Sequence, residues 1–76
     1  MRIFLGGHLN FYHPKKDKWL VFELEGSASL ANLLNDAGIP LTEVQLVAIN
    51  GEVIQLQNAL VSEGDEVKVF SAVGGG

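Results

Sequence analysis

The sequence predicts an α+β fold, a mixed sheet carrying one main helix and followed by a flexible glycine tail. Three observations predict it. Leu30, Leu33, Leu34 and Ala37 recur at helical spacing, the only such stripe in the chain. Short segments such as Trp19–Glu25 and Glu66–Phe70 alternate with the period of a strand. After the last of them come Gly74, Gly75 and Gly76, which no core requires.

Length and composition bound what such a chain can be. At 76 residues it makes one small domain, and 47% apolar with 18% charged residues is the composition of a folded chain and not a disordered one. Its apolar runs are too short to cross a bilayer. There is no cysteine, so neither a disulfide nor a thiolate zinc site braces the core, and any thiol chemistry must come from another molecule. Gly6-Gly7-His8 cuts the first apolar run too early for an export signal, and a cytoplasmic location is expected. A formal charge of -4 argues against nucleic acid and anionic membranes as partners, and Lys15-Lys16-Asp17-Lys18 is too small a cluster to reverse that. Partners with basic faces are favoured instead.

Met1 to Leu5 reads as the first strand, with Ile3 and Leu5 on one face and Gly6-Gly7 closing it. His8 to Pro14 fits neither period and is expected as an irregular or one-turn element laying aromatics on the sheet, ended by Pro14. Lys15 to Lys18 is a solvated loop. Trp19 to Glu25 follows as a strand with Leu20, Phe22 and Leu24 inward and Trp19, Val21, Glu23 and Glu25 outward. Ser29 is placed to cap the helix, Gly38 to stop it and Pro40 to prevent its resumption, leaving about two turns that cannot stand alone in water.

Val44 to Ile49 is apolar enough to be expected as the central strand. Asn50-Gly51 readily takes the φ > 0 angles of a tight hairpin, returning through Val53 and Ile54. Gln55 to Val61 is a connection pinned by Leu60, and Gly64-Asp65 turns into a last strand, Glu66 to Phe70, with Val67 and Val69 inward and Lys68 and Phe70 outward. One helix on a mixed sheet in this order is the β-grasp arrangement, with residues 1–70 as the domain and 71–76 as an extended tail.

The tail carries the functional reading. Glycine loses more backbone entropy on ordering than any other residue, so a glycine triplet suits a narrow chain entering a confined site. A C-terminal carboxylate is ionised at neutral pH and unreactive until activated, and adenylation would turn it into a mixed anhydride open to a sulfur donor. The reacting residue is then Gly76, Gly74 and Gly75 serve passage into a partner, and the docking surface is expected at Phe70 and Val73, where the tail leaves the domain.

These residues also carry a resemblance. Gly7-x-Leu9-x-x-Tyr12-x-Pro14, Leu33-Leu34 before Gly38-Ile39-Pro40, Val47-x-Ile49-Asn50-Gly51, Leu60-x-x-x-Gly64-Asp65-x-Val67 and Phe70-x-x-Val73-Gly74-Gly75-Gly76 run nearly end to end. Together they resemble the ubiquitin-like sulfur carriers, which include the small subunit of molybdopterin synthase and the sulfur carrier of thiamine thiazole synthesis. The resemblance implies a β-grasp body and ATP-dependent activation of Gly76 by a ubiquitin-activating-like adenylyltransferase. It further implies loading as a thiocarboxylate by a sulfur donor, and delivery to an acceptor synthase such as a molybdopterin synthase large subunit or a thiazole synthase. ATP is then used by the partner, and no cofactor is bound stably; the chain is a carrier or small subunit without independent activity. The long segment Gly6 to Lys18 favours the molybdopterin branch, whereas Ser71-Ala72 stands where that branch often has two prolines. The thiamine carrier is the alternative, and a protein modifier or noncovalent interaction domain is the alternative of another class.

Plainer readings absorb the other candidates. Gly6-Gly7 lacks the context of a phosphate loop and is a turn. His8 and His13 have no third ligand in register, and the acids Asp17, Glu23, Glu25 and Asp36 form no catalytic pair, so neither set makes a site. Phe11, Tyr12 and Trp19 are expected to bury apolar area and not to stack on bases. The terminal glycines could be a plain chain end, but they continue a regular last strand.

Overall fold

A computed structural model describes residues 1–72 of the chain. Its main sheet has five strands: β1 (Arg2–Gly6), β2 (Trp19–Val21), β4 (Leu46–Ile49), β5 (Glu52–Val53) and β7 (Glu66–Phe70). They lie in the order β2-β1-β7-β4-β5, with β1 and β7 parallel and the other neighbours antiparallel. A second, two-stranded sheet pairs β3 (Ala28–Ser29) with β6 (Leu60–Val61). The helix α1 (Leu30–Asp36) buries Leu30 and Leu34 against the sheet, completing a β-grasp architecture.

Each end of α1 follows its local chemistry. Ser29 Oγ accepts the Asn32 N–H at 3.3 Å, which pairs one of the helix's free donors. Gly38 turns left-handed at φ +84, and the Ile39 N–H returns to the Leu34 carbonyl at 2.9 Å. Alternation in β1 and β7 puts Ile3, Leu5, Val67 and Val69 at 0–1% exposure beneath the helix, with Leu9, Ile39 and Val61 closing the core around them.

Several expectations are corrected by pairing. The second strand stops at Val21, which opposes Arg2, the first residue of β1, and the Phe22 N–H still reaches the Met1 carbonyl. Phe22 and Leu24 still turn toward the core, but the Leu24 N–H bonds the Glu63 carboxylate at 2.9 Å instead of a strand. The central strand is β7 and not the 44–49 segment, of which only one face, Val47 and Ile49, is buried. Leu60 does not pin the 55–61 connection, being 65% exposed; Ala59 and Val61 do, through a β3–β6 pair too short to leave a period in the sequence. In the 3-10 turn Leu9–Tyr12 the buried residue is Leu9. Phe11 points outward, with the Lys16 ammonium 4.3 Å from its ring centre and the Tyr12 ring edge-on beside it.

Two turns lock β7 in register. Asn50 and Gly51 take φ +52 and +84, and the Asn50 amide reaches across to the other turn, accepting the Glu66 N–H at 2.9 Å and donating to Asp65 at 3.0 Å. Asp65 also accepts the Ser62 N–H at 2.8 Å. These bonds hold its carboxyl below the ordinary range, the Asn50 amide first and the Ser62 N–H second.

Candidate functional site

Phe70 closes β7, and of the residues expected to do chemistry or docking it alone falls within the described part. Val73, Gly74, Gly75 and Gly76 lie outside the described residues. The site that can be built is therefore the root of the tail, where β7 leaves the sheet between β1 and β4.

Phe70 is held there on both sides. Its register partners are Gly6 in β1 and Leu46 in β4, and its carbonyl accepts the Gln45 N–H at 2.8 Å. Its side chain alternates away from Val67 and Val69, as the period of the strand requires, and is half-buried. The ring meets Phe4 at a centroid distance of 6.0 Å and covers Gly6 so closely that a Cβ on that glycine would overlap it. Gly6 is consequently buried although it lies on the outer face of the sheet.

One residue on, the Ser71 hydroxyl accepts the His8 N–H at 2.7 Å and lies against Gly7, which turns left-handed at φ +63 and has no Cβ to occupy that space. Of Gly6-Gly7 only Gly7 enters the turn, with His8; Gly6 is the last residue of β1, paired with Phe70, and the two glycines together seat the first residues of the tail. Sequence reading does not join Gly6, Gly7 and His8 to Ser71, because Ser71 stands more than sixty positions from them and only the parallel β1–β7 pair brings it beside them.

The surrounding outer face is largely apolar. Cross-strand neighbours share a face, so Trp19, Phe4, Lys68, Ala48 and Val53 form one row, with Phe70 and Leu46 in the row beside it. Trp19 is 36% exposed, Leu46 43% and Val53 67%, so Trp19 is not the buried residue its size suggests. Phe4 meets Trp19 edge-on at 5.2 Å, and the Arg2 guanidinium stands 4.5 Å from the centre of the tryptophan ring. Arg2 and Lys68 make this face less acidic than the chain's net charge of -4 suggests. The alternation of β1 already separates Phe4 from Ile3 and Leu5; its meeting with Phe70 and Trp19 depends on strand order.

Other polar groups brace the body. Tyr12 donates to Glu43 at 3.3 Å, and its phenol is held above its ordinary range by partial desolvation and then by the Glu43 carboxylate. Glu63 accepts from the Met1 amine and the Leu24 N–H, which keep its carboxyl below the ordinary range, the amine contributing most. Among the described residues no cluster of histidine, aspartate and glutamate could hold a metal, and no helix is long and apolar enough to cross a membrane.

The sequence model of the ThiS family matches residues 15–76, most of the chain and the whole of its glycine end. No curated protein matches the chain significantly.

Proposed function

The chain belongs to the ThiS family of ubiquitin-like sulfur carriers, and on that premise we propose that it carries sulfur as a thiocarboxylate on Gly76. The observation that supports this reading most is that the family match extends through Gly74, Gly75 and Gly76. The Gly76 carboxylate attacks the α-phosphorus of ATP in an adenylyltransferase of the ubiquitin-activating type, and pyrophosphate leaves. A donor supplying sulfur at the level of sulfide then attacks the acyl carbon, the bond to AMP breaks, and the thiocarboxylate remains. All catalytic groups belong to the partners; this chain contributes its carboxylate, a narrow tail and a docking face around Phe70 and Val73.

A thiazole synthase is the proposed acceptor. The match to the ThiS family favours this branch over molybdopterin synthesis, and it begins at residue 15, past most of the Gly6–Lys18 segment that points to the pterin branch. That segment, with its own 3-10 turn, is the observation favouring a molybdopterin synthase large subunit as the second reading.

Intact mass spectrometry tests the chemistry after incubation with ATP, the adenylyltransferase and a sulfur donor. A carrier gains the mass difference between sulfur and oxygen, whereas a protein modifier gains a whole target protein. Presenting the loaded chain to each acceptor enzyme separates the two branches.

A further inference from the structure

We infer that Ser71 is a positioning residue that sets the direction in which the tail leaves the domain; this rests on the carrier function proposed above. The sheet's register ends at Phe70, which is paired with Gly6 on one side and Leu46 on the other. A chain released there would fan out from its last paired residue. Here it is not released: the Ser71 hydroxyl takes the His8 N–H at 2.7 Å, carrying the hold of the sheet one residue further by a side-chain bond. The β4 side grips the preceding residue through the Gln45 N–H on the Phe70 carbonyl at 2.8 Å. Successive residues are thus tied to opposite neighbours, which constrains rotation about the root as well as its position.

Gly7 makes room for this latch. At φ +63 it adopts a conformation that side chains rarely take, and a Cβ there would overlap the Ser71 oxygen and come within 3.0 Å of the Ser71 nitrogen. The left-handed turn both aims the His8 N–H at Ser71 and leaves the space its hydroxyl fills. Because the bond is exposed, water can replace Ser71 at His8 when the hydroxyl is removed, so the latch matters more to the direction of the tail than to the fold.

If the latch holds the tail in the direction that a partner's cleft accepts, removing it lowers the fraction of molecules ready to enter without altering the chemistry once Gly76 is seated. Apparent affinity falls by that fraction. In ATP–pyrophosphate exchange with the adenylyltransferase, Ser71→Ala is expected to raise the KM for the carrier by about threefold to tenfold at unchanged kcat, and Ser71→Thr, which keeps the hydroxyl, to restore it. In the free protein, Ser71→Ala should speed amide hydrogen exchange at His8 by about tenfold or more while exchange at core amides such as Val67 is unchanged. Unchanged His8 exchange would show that no latch exists in solution and overturn the proposal. Faster exchange with an unchanged KM would refute the positioning role while leaving the carrier reading intact. A wild-type chain that supports no exchange with any adenylyltransferase would instead remove the carrier reading, and the positioning role with it.

Discussion

The Phe70 ring covers the Cα of Gly6 across the parallel β1–β7 pair, so that the strand needs an absent side chain on one residue to seat a large one on the other. Phe4 closes the ring in from the next outward position, 6.0 Å away between centroids. The aromatic that stands where the tail departs is therefore held in place before any partner arrives.

Gly6→Ala is expected to destabilise the domain by about 1–3 kcal/mol, since the added methyl group must expel the ring or shift the strand. Denaturant unfolding measures this. In a Phe70→Ala background the same change should cost much less, a coupling of roughly 0.5–3 kcal/mol in a double-mutant cycle. Additive effects would show that ring and glycine are not in contact.

Phe70→Ala should weaken association with the adenylyltransferase by at least ~1 kcal/mol, about fivefold in Kd. Loss of its contact with Phe4 adds a smaller destabilisation of the free domain. Titration calorimetry and unfolding read the two quantities apart, and unchanged binding beside a loss of several kcal/mol in stability would make Phe70 a purely structural residue.

Gly75→Val and deletion of Gly76 should each abolish activation. The β-branched residue widens a chain that must pass a narrow cleft, and the deletion misplaces the carboxylate by about 3.3 Å, the rise of one extended residue. Pyrophosphate exchange reads the loss. Thermal unfolding should stay within a degree or two of the wild type, because the sheet is complete at Phe70.

Stability should fall in acid through Glu63 and Asp65. Both carboxyls are held below their ordinary range in the folded chain, Glu63 chiefly by the Met1 amine and Asp65 chiefly by the Asn50 amide. The unfolded chain therefore binds protons at a higher pH than the folded one. Their contribution is complete above the unfolded pKa values and is lost as pH falls from the ordinary carboxylate range through the lower folded values. Unfolding midpoints measured across that range should decline less steeply in Glu63→Gln and Asp65→Asn than in the wild type.

Local chemistry is legible from the residues themselves. The helix stripe from Leu30 to Ala37, the Ser29 cap, the Gly38 stop, the left-handed pair Asn50-Gly51 and the inward turn of Val67 and Val69 all depend on neighbours within a few positions, and the folded chain has each of them. The glycine end is legible for the same reason, since it is defined by what its residues lack. Strand order is not local. An apolar run such as 44–49 does not say which strands flank it, and β7 takes the centre because β1 pairs with it in parallel from the other end of the chain. The end of β2 at Val21 goes with its pairing to Arg2, and the burial of Ala59 in place of Leu60 with a two-residue pairing to β3. The root of the tail belongs to this second class. Gly6-Gly7 and Phe70 stand out in the sequence only separately, as a turn and as a docking residue, and only the parallel pairing of the chain's two ends packs a ring over one glycine and the Ser71 hydroxyl against the next.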